Sequence, residues 1–390
     1  MSADAPGIVY LDNHATTALD PRVAERMLPW LLDRAGNPHA RHAAGWRAAE
    51  AVEAARAEVA GLIGANPAEL VFTSGATEAN NLAVKGVARA ARSRGRDRIV
   101  TAATEHPSVL ACCRRLHAEG FRLDVLPVRS DGRLDPELLR RALAPETALV
   151  SVMAANHEIG TLQPLQEIGR LAVTHGVPVH TDAAQAAGKV PLDVSALGLH
   201  LVTLTAHKMH GPAGIGALWV SRSVEIEPLC DGGGQERGLR PGTVPVALAV
   251  GFGAAAALAR ESLEREALRV AGLRDRLFEA LSSSVDGLLV NGSMDHRLPG
   301  NLSVRIPGVD ASELVEAVPE LAIATGAACA TGRHEPSHVL LALGLDARGA
   351  GSSLRFGLGR FTTEADVDRA ASLLSGAVAR LRRPPRARAG

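Results

Sequence analysis

Thr205-Ala206-His207-Lys208-Met209-His210-Gly211-Pro212 sets one lysine between two runs that read as strands, residues 201–205 and 215–220. A lysine there follows the carboxyl end of a strand, where open α/β sheets place their ligands. Its amine is of the type that forms a Schiff base with an aldehyde. Too little chain separates the two runs for a helical crossover, so 215–220 is expected to lie antiparallel to its neighbours. Working outward, Asp182 and Gln185 follow a run at 177–181, and Ser74-Gly75-Ala76-Thr77 follows one at 70–73. Further strand runs are expected at 98–101, 123–126 and 149–153, separated by segments of helical period. The pattern predicts an α/β fold whose large domain has a mainly parallel, mixed seven-stranded sheet between helices. From about Glu261 the pattern changes to a long charged helix, strands near 288–290, 301–305 and 352–356, and further helical stretches, which predicts a smaller α+β domain.

Length and composition narrow the function classes. The 390 residues suffice for two domains, and with aromatics at 3% the core must be built from Ala, Val and Leu. Lys plus Arg and Asp plus Glu both number 42, leaving no excess basic field to hold nucleic acid or an anionic membrane surface. The arginines from Arg380 to Arg388 are read as a solvated terminus. Four cysteines, Cys112, Cys113, Cys230 and Cys329, are too scattered for a disulfide framework or a zinc site. Residues 1–7 are polar and give no export signal. The apolar run 244–259 is shorter than a membrane span of about 20 residues and reads as a buried helix. A reduced, soluble, cytoplasmic protein is the expectation.

Several residues can carry chemistry. The step from Ser74 to Glu78 links a strand to a helix expected to begin near Glu78, and N–H groups at such a start suit a phosphate as well as an ordinary cap. Thr205 and His207 can add donors. Asp182 is placed either to cap a helix or to hold a ring nitrogen protonated. Gln185, one helical turn on, shares its face. His106, before Pro107, can stack on a flat ring and move protons, or cap the helix that follows. Cys329 lies among small residues in a stretch, 325–335, read as a mobile loop. There it is either a nucleophilic thiolate or a small buried hydrophobe. His207 and His210 lack a third ligand, so no metal site is expected.

Together these residues make the chain resemble the cysteine desulfurases of the NifS/IscS type, in the class V aminotransferase group of fold-type-I pyridoxal-phosphate enzymes. The likeness runs from Tyr10-Leu11-Asp12-Asn13-His14-Ala15-Thr16-Thr17 through Phe72–Glu78, Thr104-Glu105-His106, Asp182/Gln185 and His207-Lys208. It continues through Gly232–Arg237, Arg240-Pro241-Gly242-Thr243 and the Cys329 segment to Ser352–Thr363. The resemblance implies that Lys208 binds pyridoxal 5'-phosphate through its aldehyde, Asp182 pairs with the pyridine nitrogen, His106 stacks on the ring and Gln185 contacts the phenolic oxygen. It also implies that Ala76, Thr77, Thr205 and His207 hold the phosphate. Thr243 would reach the partner subunit's phosphate in a homodimer. Arg355 and Asn13 would bind substrate, and Cys329 would take sulfur from L-cysteine as a persulfide, with L-alanine released and the sulfur passed to an acceptor protein. The expected division is residues 16–260 for the large cofactor-binding domain, with 1–15 and 261–390 forming the small one.

Two positions depart from the family pattern. His157, in Asn156-His157-Glu158-Ile159-Gly160, stands where the family usually has a second asparagine that contacts the cofactor or substrate. The cysteine segment reads Gly-Ala-Ala-Cys-Ala where Gly-Ser-Ala-Cys-Thr is common. A cysteine or selenocysteine lyase, a class V aminotransferase, and a non-catalytic homologue acting as an assembly partner are the competing readings. The sulfur acceptor, whether for iron–sulfur clusters, tRNA thiolation or another thio-compound, is not encoded in these motifs.

Overall fold

A computed structural model describes residues 7–328 and 335–382; Cys329 and the terminal arginines Arg383, Arg386 and Arg388 lie outside the described residues. The main sheet contains β1 (Leu70–Thr73), β2 (Arg98–Ala102), β3 (Arg122–Leu126), β4 (Thr147–Ser151), β5 (Val179–Asp182), β6 (Leu201–Thr205) and β7 (Gly216–Val220). Their spatial order is β1-β7-β6-β5-β4-β2-β3. β7 is antiparallel to both β1 and β6, as the short connection demands, and the other pairings are parallel.

Adjacent residues in these strands feed opposite cores, as the two-residue repeat of a strand requires. Phe72, Val100, Val150 and Val202 join one apolar cluster, while Val71, Ile99, Leu149 and Leu201 join another on the far face. Burial on both faces explains why these strands read as continuous apolar runs. The edge strand β3 is different: it is only partly buried, and Arg98 pairs with its Asp124 at 2.6 Å. Charge at an edge discourages pairing with another chain. Small residues allow close helix packing where aromatics are scarce. A Cβ on Gly253 would lie 2.6 Å from the Ala55 Cα.

One difference from expectation concerns the apolar run 244–259 and the charged helix from Glu261. They form a single helix, Val246–Ser284, because no Gly-Pro break separates them. Its first half packs Ala249, Phe252, Ala255 and Ala256 against the main sheet. Its second half sends Val270, Leu273, Leu277 and Leu281 into a separate core with Leu302, Val304, Leu354 and Phe356. This helix is long and apolar enough to cross a membrane by length and composition alone, but half of its most apolar window is buried inside the protein. Such burial is what a core helix shows.

The second core backs a four-stranded sheet, ordered Ala324–Thr325, Ser353–Gly357, Asn301–Arg305, Leu289–Val290, with antiparallel pairing throughout. Val9–Tyr10 pairs in parallel with Leu321–Ala322, and Asp12 bridges to Gly357, so the start of the chain packs with its end. Of the segment 325–335, expected as a mobile loop, residues 329–334 lie outside the described residues, and the described ends form strands. Ala327–Ala328 pairs antiparallel with Glu335–Pro336. Ladder bonds are made by the backbone, so small residues lacking any periodic pattern can still form them.

Candidate active site

At the carboxyl ends of β1, β5 and β6 a cleft of about 440 Å³ is lined by Ala76, Thr77, His106, His157, Asp182, Gln185, Thr205, His207 and Lys208. Nine of the sequence-predicted residues thus meet in one place. β5 ends at Asp182 itself, and β6 ends at Thr205, three residues before Lys208. Parallel strands make this convergence automatic, since each delivers its C-terminal turn to the same edge.

The helix Ala76–Arg92 begins two residues earlier than expected, at Ala76 rather than near Glu78. Its N-cap is Gly75, at φ 155°, and no side chain caps it. Its first N–H groups are therefore left for a ligand, and glycine's freedom sets the turn. Glu78 folds back to accept from the Ser74 N–H and pairs with Arg240 at 2.9 Å, leaving the rim ordered.

Asp182 is nearly buried. It accepts from Asn80 Nδ2 at 2.7 Å and from the Ala184 N–H at 2.9 Å. Turns rather than a helix follow it, yet Gln185 still reaches the same cleft. The cap reading and the ligand reading of Asp182 are compatible, because the Asn80 bond holds its carboxylate from the cleft wall.

The Lys208 amine titrates below the ordinary lysine range because burial disfavours its charge, while nearby Asp182 partly offsets that effect and Arg355 adds to it. His106 accepts the Ser108 N–H as N-cap of Pro107–Ala118 and also lines the cleft. Burial, with help from His157, brings its pKa down to about 4, so it is neutral at pH 7. The His157 ring stands edge-on to it, with centroids 5.2 Å apart, and His157 Nδ1 is buried without a hydrogen-bond partner. An open helix start, a held carboxylate, a buried amine and an orphaned imidazole nitrogen fit a phosphorylated aldehyde with a basic ring.

The remaining predicted residues lie elsewhere. Arg355 donates to the His157 carbonyl at 2.9 Å and to Asp12 Oδ1 at 2.7 Å, which leaves its buried Nε without a partner. Asn13 donates to the Gly357 carbonyl and lines a smaller neighbouring cavity that also touches Lys208 and Lys189. Thr243 is exposed and lines no part of the cleft. Its segment is tied down nonetheless: Glu236 and Arg237 hold positive φ, and the buried Glu236 pairs with Arg56 at 2.7 Å and accepts the Phe72 N–H.

Sequence reasoning missed four residues. Asn80 is fully buried inside a helix and bonds both Asp182 and Ser108. An asparagine in a helix interior is unfavourable without such partners, and that was an available signal. His14 and Glu105 lie inside stretches quoted for the resemblance but had no role assigned, since their partners Gln185 and Met153 are distant in the chain. Lys189, four residues from Gln185, gave no signal. Glu105 accepts the Met153 N–H, and burial raises its pKa well above the usual carboxylate value. By contrast, burial pushes the Cys112 and Cys113 thiols up to about 11 and about 12, so neither is primed as a nucleophile.

Residues 9–370 match the model of a family described as aminotransferase class-V. A cysteine desulfurase IscS of Anaeromyxobacter dehalogenans (strain 2CP-C) is 50% identical over 377 residues, covering 96% of this chain and 93% of the relative. The solved structure titled "NIFS-LIKE PROTEIN" superposes with a TM-score of 0.90 at 36% identity, over 95% of this chain and 99% of that one. "SspA in complex with cysteine" does so with a TM-score of 0.81 at 35% identity, over 91% and 99%.

Proposed function

Since the chain belongs to the aminotransferase class-V family, which is pyridoxal-phosphate-dependent, we propose that it is a cysteine desulfurase. In that reaction L-cysteine loses its sulfur and leaves as L-alanine, and the Cys329 thiol becomes a persulfide; the C–S bond breaks as the S–S bond forms. The observation that carries the proposal is the convergence of Lys208, Asp182, His106 and an uncapped helix start on one cleft. Similarity to a structure titled as a cysteine complex supports the choice of substrate.

In this reading Ala76, Thr77, Thr205 and His207 hold the phosphate, Lys208 binds the aldehyde carbon and Asp182 keeps the pyridine nitrogen protonated. The bound cofactor supplies a sink for the electron pair released at the substrate Cα. Lys208, whose lowered proton affinity leaves more of it as free amine, takes the Cα proton. Neutral His106 offers one nitrogen to give or receive a proton at the ring face. Arg355 turns from Asp12 to the substrate carboxylate, and Asn13 supports it from the Gly357 side. Cys329 attacks the substrate sulfur. Thr243, exposed on one protomer, reaches the phosphate held by its partner in a homodimer. Residues 16–260 make the cofactor-binding domain, with 1–15 and 261–390 as the small one. Buried free thiols at Cys112 and Cys113 and a catalytic thiol suit a reducing compartment such as the cytoplasm. The persulfide goes to an acceptor protein serving iron–sulfur cluster or other thio-compound synthesis.

Cys329→Ser decides between this reading and a lyase. Alanine release from L-cysteine is expected to fall to background in that variant, and undiminished turnover would mean that sulfur leaves without the thiol.

A further inference from the structure

Behind the cleft, Gln185 is gripped from one side. Its Oε1 lies 3.0 Å from His14 Nδ1 and 3.2 Å from Lys189 Nζ, and its Nε2 lies 2.9 Å from the His14 carbonyl. A backbone carbonyl only accepts, so the atom facing it must be the NH2 group. The atom facing Lys189 must then be the oxygen, and His14 must carry its proton on Nδ1. A flipped amide would set NH2 against the lysine amine and oxygen against oxygen. Gln185 is only 3% exposed, so water would not replace what the flip loses.

His14 makes this bond at a cost. Its Nε2 is buried with no hydrogen-bond partner, and the whole residue is 2% exposed. A buried imidazole with one nitrogen unsatisfied is an arrangement that folding alone does not favour. Of the two NH2 hydrogens on Gln185, one is used at the His14 carbonyl. The other is left for the cleft that Gln185 shares with Asp182 and Lys208.

We propose that Lys189 and His14 are positioning residues that lock the Gln185 amide with its NH2 toward the phenolic oxygen of the cofactor bound at Lys208. The inference rests on the pyridoxal-phosphate reading of the cleft and extends it to two residues outside the cleft lining. The charged groups around Lys189 are Lys208, Arg355 and Glu266, and those around His14 are Lys189, Lys208 and Arg355. Burial first, then Lys208 and Arg355, bring the Lys189 pKa down to about 7. Burial together with the same cations keeps His14 neutral, as its Nδ1–H donor role requires.

The test is a pH titration of the visible band of the purified, cofactor-loaded protein without L-cysteine. A donor to the phenolic oxygen weakens that oxygen's hold on the proton of the neighbouring imine nitrogen. Its loss therefore raises the pH at which the band changes. Lys189→Met and His14→Phe are each expected to move the midpoint up by about one pH unit. Lys189→Gln and His14→Gln, which keep a donor, are expected to recover at least half of that shift. Should those replacements fail to fold, Lys189→Ala and His14→Ala, which likewise carry no donor, serve in their place. The proposal is overturned if the donor-less variants titrate with the parent. It is equally overturned if Lys189→Gln shifts as far as Lys189→Met, since charge rather than hydrogen bonding would then be responsible. A parent protein that develops no visible band with pyridoxal phosphate would overturn the cofactor reading itself.

Discussion

The wall of the cleft on the main sheet and a second wall outside its lining, the Asp12–Arg355 pair beside the smaller sheet, are assembled in different ways. The first takes its groups from residues 74–208, each at or just past the end of a strand in one sheet. The second takes Asp12 and Arg355, 343 positions apart, and joins them by one ion pair across a strand bridge. The first wall is a property of topology: parallel strands deliver their ends to one edge whatever the loops contain. The second depends on the chain's two ends packing together, and Arg355 is engaged by protein groups before any substrate arrives. In the proposed reading the first wall holds the cofactor permanently and the second exchanges partners.

Substitutions in the two walls are expected to fail differently. The largest effect belongs to the holding wall. Lys208→Ala should lose the visible band with added pyridoxal phosphate and lower turnover by about 10³-fold or more, because in the proposed reading one amine serves both attachment and proton transfer. Steady-state rates on L-cysteine with absorbance spectra check this, and a band of parent intensity in the variant would break the distinction.

Arg355→Ala, in the exchanging wall, should keep the band and raise KM by about 10- to 100-fold, the worth of a charge-assisted hydrogen-bonded pair at roughly 1.5–3 kcal/mol. A fall in kcat with KM unchanged would place Arg355 with the holding residues instead.

The smallest effect is on stability. His180 bonds Ser151 and Thr203 beneath the cleft, and burial lowers its pKa from 6.5 to about 4. The unfolded chain then binds the proton more readily than the folded one. This contribution to stability is full above pH 6.5 and is lost as pH falls from there toward 4. Half-buried His106 and buried His210, also lowered to about 4, act in the same sense. Thermal melting across pH 4–8 should show that fall, and it should be shallower by a few degrees in His180→Gln. Parallel curves would remove His180 from the account.

What the sequence disclosed follows the same division. The strands of the main sheet were legible because burial on both faces leaves an apolar run, and the antiparallel β7 because its connection to β6 is short. Asp182, His106 and Lys208 could be placed because each follows such a run directly. The continuity of Val246–Ser284 was not legible, since its two halves face two cores and change composition midway. The pairing of Ala327–Ala328 with Glu335–Pro336 leaves no side-chain pattern to read. Lys189 and His14 take their meaning from Gln185, and two of these three partners are 171 residues apart.

Mass spectrometry of the Cys329 peptide, after incubation of the cofactor-loaded protein with L-cysteine, tests the central claim most directly. The parent should carry one added sulfur on that peptide, sensitive to reductant, and Lys208→Ala should carry none. An unmodified peptide in a parent that still releases alanine would contradict the account.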